Sequence, residues 1–186
     1  MSENQEPVIS TEEMVAAVKQ ATEAVFSTML GLELGIKEAF VEQATTVVPA
    51  AGVVSLIGLA GAMVGTGSLS CSCEFACRMS GALLMTEHAQ MDEEVLDSIA
   101  EITNMVIGNV KTMLEDKLGA SLGLSTPTVI FGRNFQTRSA RSQEWIVIPF
   151  ACGEDNLYVQ LCLGPNKDQA AKAGRPGFAL PQVVSF

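Results

Sequence analysis

The stretch TTVVPAAGVVSLIGLAGAMVGTGSLSCSC, residues 45–73, carries no charged side chain, and the class of the fold turns on whether it crosses a bilayer or builds a sheet. Its length matches a membrane span, which takes about 20 apolar residues. Gly61 and Gly65 even make the G-x-x-x-G spacing of packed spanning helices. Three features point the other way. Pro49 interrupts the run, Gly, Ser and Thr are frequent within it, and the nearest basic residues, Lys37 and Arg78, form no flanking cluster. Strands buried in a sheet also read as continuous apolar runs. The stretch is therefore read as two strands, Val53–Ala60 and Met63–Cys73, joined by a tight turn near Gly61, and no membrane span is expected.

Upstream, Ser10 and Glu13 make the S-x-x-E capping box that opens a helix. Met14, Val18, Val25, Met29 and Leu30 follow at helical spacing to about Leu32, and β-branched residues then gather from Ala39 to Val48. Downstream, Phe75 to about Glu87 reads as a short helix. A long helix starts near Asp92, where acidic residues suit the positive helix end, and runs to about Leu118, with Gly119 ending it. Thr128–Phe131, Trp145–Phe150 and Leu157–Leu163 read as further strands. In the last, Leu157, Val159, Leu161 and Leu163 alternate with Tyr158, Gln160 and Cys162, the period of a half-buried strand. The expected fold class is α/β of the α+β kind, a mainly antiparallel sheet of about six strands with helices packed on it. Residues 11–163 form the domain, residues 1–10 a disordered lead and residues 164–186 a C-terminal tail.

The chain has 186 residues, 48% of them hydrophobic but only 5% aromatic, enough for one domain with an aliphatic core. Its formal charge of −10 argues against nucleic acid, which recruits basic residues to displace counterions from phosphates. The five cysteines, at 71, 73, 77, 152 and 162, are odd in number, and Met1 to Pro7 is polar rather than a secretory leader. Reduced thiols in a cytoplasmic protein follow. Cys71, Cys73 and Cys77 make C-x-C-x-x-x-C, but no fourth ligand stands at finger-like spacing, so no metal site is expected. His88 is read as a surface or capping residue near a helix end. Arg133, Arg138 and Arg141 are read as a solvated hairpin tip, and Met85, Met91, Met105 and Met113 as core or interface filler.

The long helix is the informative element. At roughly 100° per residue, Val95, Ile99, Ile102, Val106, Val110 and Met113 fall on one face. Asp97, Glu101, Asn104, Gly108, Lys111 and Glu115 lie within about 80° of one another on the opposite face. Residues three and four apart are neighbours on a helix, so Asp97, Glu101 and Asn104 make one patch, and Gly108 leaves a gap one turn on. An ordinary solvated face would look much the same, although Asn is a poor mid-helix residue.

The run DSIAEITNMVIGN, residues 97–109, resembles the signature of the CheC/CheX/FliY phosphatase family, D/S-x-x-x-E-x-x-N, with Asp97, Glu101 and Asn104 at its marked positions. AVFSTMLGLE (24–33) is similar to the family's first helix, GLAGAMVGTGSLSCS (58–72) to its central hairpin and STPTVIFGR (125–133) to the strand after its long helix. Glu-x-x-Asn occurs once, as in the CheX members, which act as homodimers. The resemblance implies a cytoplasmic phosphatase that hydrolyses the aspartyl phosphate of a phosphorylated CheY-like response regulator. Asn104 would orient the attacking water and Glu101 would pair with the regulator's active-site Lys. Asp97 and Gly108 would touch the partner. No cofactor of its own is implied, because Mg²⁺ is expected on the regulator. Two other functions are compatible with the same fold, a non-catalytic regulator-binding adaptor and a structural component of the flagellar switch.

Overall fold

In the computed structural model the described residues are 9–47, 52–132 and 137–166, with the backbone alone described for 44–47 and 137–143. Pro49 and Arg133 lie outside the described residues, as do the side chains of Arg138 and Arg141 and the tail from residue 167. The capping box forms as expected: the Ser10 N–H donates to Glu13 Oε2 at 3.0 Å and the Glu13 N–H to Ser10 Oγ at 3.2 Å. It opens α1 (Thr11–Val25), with Ile9 buried just ahead of it. A π-helical turn, Phe26–Leu30, extends α1 and closes at Gly31, whose φ is 62°. The wider turn shifts the helical phase. Phe26 and Leu30 point inward while Met29, which continues the apolar spacing in sequence, is 51% exposed.

Among the described residues eight strands, rather than about six, form one sheet. They are β1 (Gly35–Ile36), β2 (Phe40–Val47), β3 (Gly52–Gly61), β4 (Met63–Cys71), β5 (Leu122–Leu124), β6 (Thr128–Gly132), β7 (Thr137–Cys152) and β8 (Asp155–Pro165). The two that the sequence conceals, β1 and β5, span two and three residues, too short to show a period. The order is β1-β7-β8-β4-β3-β5, with β2 also on β7 and β6 also on β3, and every pairing is antiparallel. The uncharged stretch supplies the β3–β4 hairpin, turning at Gly61 with φ 149°. Among the described residues no helix is long and apolar enough to cross a membrane.

Alternation sorts the strands as the pattern in Leu157–Leu163 foretells. Val53, Ile57, Leu69, Ile148, Leu157, Val159 and Leu161 enter the main core, while Val54, Trp145 and Val147 cluster on the other face. After β4 the chain turns sooner than the sequence suggests. Ser72 accepts from the Phe75 N–H at 3.0 Å and caps α2 (Cys73–Leu84), so Cys73 opens a helix instead of ending a strand. α2 stops at Met85, in the left-handed region, where the Thr86 N–H turns back to the Gly81 carbonyl at 3.2 Å and the Thr86 carbonyl packs where a Cβ of Gly81 would stand.

α3 (Glu93–Leu118) matches its expected limits, with Asp92 accepting from the Val95 N–H at one end and Gly119 at φ 60° at the other. It packs against α1 on one side, α2 on the other and the β3–β4 hairpin beneath. Its buried arc is consequently wider than one apolar stripe. Thr103, Ile107, Leu114 and Leu118 join Val95, Ile99, Ile102, Val106 and Val110, while Met113 is only half-buried. Each fully buried aliphatic side chain contributes about 1.5–3 kcal/mol. Glycines allow close approach between the layers and within the sheet: a Cβ on Gly67 would sit 2.8 Å from Ile107 Cδ1, and one on Gly65 would overlap the Cys162 carbonyl oxygen of the neighbouring β8.

Because Gly65 faces backbone that cannot step aside, Gly65→Ala is expected to lower stability by about 3 kcal/mol or more, read as the urea midpoint against the parent. A parental midpoint would show that the β4–β8 ladder yields where these contacts say it cannot.

Candidate functional site

Seating α3 on three sides leaves one strip of it in solvent, and the polar stripe lies there. Buried hydroxyls mark the inward side of the helix, and one of them ties it to α2. Ser80 Oγ of α2 donates to Ser98 Oγ at 2.8 Å, Ser98 Oγ donates to the Glu94 carbonyl at 2.8 Å and Thr103 Oγ1 to the Ile99 carbonyl at 2.7 Å. With Ser98 and Thr103 turned inward, their neighbours Asp97, Glu101 and Asn104 are exposed, and Gly108 is half-buried on the same strip. The structure thus brings together the residues that the sequence singles out.

They form one wall of an open groove of about 420 Å³, lined by Asp97, Ala100, Glu101 and Asn104 on the helix and by Leu124, Ser125, Thr126 and Pro127 opposite. This second wall escapes a sequence reading, which takes STPTVIFGR as a strand and its approach. The Ser-Thr-Pro punctuation between apolar runs is the signal that marks it as a turn. Gly108 lies beside the groove. A Cβ there would meet only Leu124 Cδ1, at 3.9 Å, an ordinary contact. A mid-helix glycine forgoes about 0.5–1 kcal/mol relative to alanine, and nothing in the chain's own packing calls for it here.

Lys111 and Glu115, at the far end of the stripe, tie the two walls together. Lys111 Nζ donates to Glu115 Oε2 at 2.7 Å, and Glu115 Oε1 accepts from the Leu122 N–H at 2.6 Å, holding β5 against α3. These two bonds, the lysine's first, hold the Glu115 carboxyl below the ordinary carboxylate range. Chemically the groove offers a carboxylate at Glu101, an amide at Asn104 that both donates and accepts, and a second carboxylate at Asp97 one turn away.

The features set aside by sequence fall elsewhere. No disulfide joins any of the five cysteines. Burial pushes the Cys71, Cys77 and Cys162 thiols upward, so they stay protonated at neutral pH. Cys152 Sγ accepts from Arg78, which also pairs with Asp155 and stacks over Phe75. No cluster of three or more His, Cys, Asp or Glu among the described residues could hold a metal ion. His88 is not at the surface. Its side chain is 3% exposed, with Nδ1 3.5 Å from Asp92 Oδ2, the carboxylate that caps α3.

The family model described as chemotaxis phosphatase CheX matches residues 53–151, just over half of the chain, from β3 through both walls of the groove and into β7. No curated protein sequence matches significantly. Among solved structures, chemotaxis protein CheX from Vibrio vulnificus is similar at 28% identity and TM-score 0.72, covering 82% of this chain and 99% of that one. CheX from Desulfovibrio desulfuricans is similar at 25% identity and TM-score 0.72, with the same coverages. The CheX of a CheX–CheY–BeF3–Mg²⁺ complex from Borrelia burgdorferi shares the fold at 23% identity and TM-score 0.67, covering 81% of this chain and 97% of that one.

A carboxyl held low in the folded state stabilises the fold fully above its unfolded pKa, and that contribution is lost as pH falls through the lower folded value. Glu115→Gln is therefore expected to be less stable than the parent at pH 7, with the gap in urea midpoint closing as pH drops from about 5 to 3. A gap that stays constant over this range would show that the carboxylate does not hold β5 to α3.

Proposed function

We propose, from the premise that this chain belongs to the CheX family of chemotaxis phosphatases, that its domain over residues 11–163 hydrolyses the aspartyl phosphate of a phosphorylated CheY-like response regulator in the cytoplasm. The observation that carries this reading is the joint exposure of Glu101 and Asn104, one turn apart on a rigid helix, in a single groove. The regulator brings the phosphoryl group and its Mg²⁺; in support, the Borrelia burgdorferi structure is a complex of CheX with CheY, BeF3 and Mg²⁺. What this chain adds is geometry. The Asn104 amide accepts from and donates to a water, holding it in line with the phosphorus. Glu101 makes a charge-assisted contact with the regulator's active-site lysine. Asp97 sits where it can support Glu101 or touch the partner. At Gly108 the missing side chain lets the partner's surface approach the helix, consistent with a glycine that internal packing does not require.

A non-catalytic adaptor would keep the fold and the partner without needing the amide, and a flagellar-switch component would need neither residue. The pairing of Glu101 with Asn104 in the groove favours the phosphatase. The protein is further proposed to act as a symmetric homodimer with two equivalent sites. In support, the outer strands carry exposed apolar residues, with Phe40 and Val41 on β2 and Phe131 on β6 each about half exposed.

With a regulator that the parent turns over, Asn104→Ala is expected to fold normally, bind the regulator and lose about 100-fold in phosphate release. Asn104→Asp is at least as damaging, because it removes the donors and sets a negative charge beside the phosphoryl group. Glu101→Gln raises KM, since a neutral amide cannot replace the charge-assisted contact. Near-parental release by Asn104→Ala would sink the assignment. For assembly, light scattering is expected to give twice the 19.7 kDa chain mass. A monomer mass at micromolar concentration would overturn the dimer.

A further inference from the structure

The wall facing α3 is made by an irregularity in the edge of the sheet. β5 pairs Leu124 with Leu59, and β6 pairs Thr128 with Leu56. Residues 125, 126 and 127 therefore stand opposite only Ile57 and Gly58, one residue more than a continuous ladder takes. A bulge of this kind bends an edge strand and re-aims its side chains. Ser125 locks it in place. Its N–H donates to the Gly58 carbonyl at 2.9 Å, its Oγ accepts from the Gly58 N–H at 2.9 Å, and the same Oγ donates to the Thr126 carbonyl at 2.9 Å. Gly58 is suited to this, since a Cβ there would crowd Ser125 Oγ at 3.3 Å. Pro127 has no N–H to offer β3 and a fixed φ, so the extra residue cannot slide back into the ladder.

With Ser125 engaged inward, the exposed hydroxyl left in this wall is that of Thr126, which makes no hydrogen bond among the described residues. The two walls differ in kind. The helix offers carboxylates and an amide, whereas the bulge offers a neutral hydroxyl and a rigid ring. A hydroxyl can donate to a backbone carbonyl or accept from a backbone N–H, the groups any loop presents.

Resting on the phosphatase reading, we propose that residues 125–127 are the second half of the regulator-docking surface. Thr126 contacts the backbone of the loop flanking the regulator's phosphorylated aspartate, and Ser125 is a positioning residue that acts through it. The helix recognises charge and places the water; the bulge adds hold on the backbone of the loop.

Steady-state phosphate release from a phosphorylated regulator separates these roles. Thr126→Tyr fills the groove from a solvent-exposed position and is expected to keep the parental urea midpoint while raising KM by about tenfold or more, with kcat within about twofold. Thr126→Val keeps the volume but not the hydroxyl, and raises KM by about threefold to tenfold. Ser125→Ala shifts KM in the same direction through the loosened bulge. Parental KM in Thr126→Tyr and Thr126→Val, alongside an inactive Asn104→Ala, would overturn the second wall and leave the phosphatase reading standing. A parent that releases no phosphate from any phosphorylated regulator would overturn that reading, and this proposal with it.

Discussion

Everything at the groove depends on how closely α3 sits on the β3–β4 hairpin. The contact is set by glycine on the sheet and isoleucine on the helix, with Ile107 occupying the space where a Gly67 side chain would project. At this separation the helix sinks between α1 and α2, so three of its sides are buried and one strip remains. A helix lying higher on the sheet would expose a broader polar face, with no particular residues singled out for contact. The core of Ile99, Ile102, Val106 and Val110 therefore does more than stabilise. It fixes the azimuth of Glu101 and Asn104 to the precision of packed side chains, which a loop could not give.

The same burial explains which parts of the architecture are legible in the residues alone. Capping chemistry and long periods survive any tertiary context. Ser10 with Glu13, Asp92 with its acidic followers, Gly119 and the alternation through β8 all read correctly because each is a local signal repeated or reinforced nearby. Short pieces do not carry such a signal. β1 and β5 exist only because β7 and β3 offer them a ladder, and two or three residues hold no pattern of their own. The π turn is invisible for a related reason: one altered hydrogen-bond step shifts Met29 outward without any change in composition. His88 misleads in the other direction, since a lone polar residue near a helix end is usually solvated, and here the α3 cap holds it inside.

The candidate site divides along the same line. Its helical wall was readable because 3.6 residues per turn place Asp97, Glu101 and Asn104 together whatever surrounds them. Its other wall depends on register. Only the pairing of β5 and β6 with β3 shows that residues 125–127 are a bulge, and only the fold places that bulge beside α3.

The two walls are also joined by a residue that helical spacing sets on the same stripe. Glu115 takes the Lys111 ammonium on one carboxylate oxygen and the Leu122 N–H on the other. The first bond is an i, i+4 pair within the helix and the second crosses to the sheet edge, so one carboxylate sets where β5 begins relative to α3. Gly108 and Leu124 then face each other between this clamp and Asn104, with the smallest possible side chain on the helix side. An edge strand of three residues would otherwise be free to fray, since it pairs on one side only. Clamped at Leu122 by Glu115 and at Ser125 by Gly58, it becomes a wall of defined position. Two surfaces whose separation is fixed in advance need no ordering when something docks between them, which removes part of the ordering cost of binding.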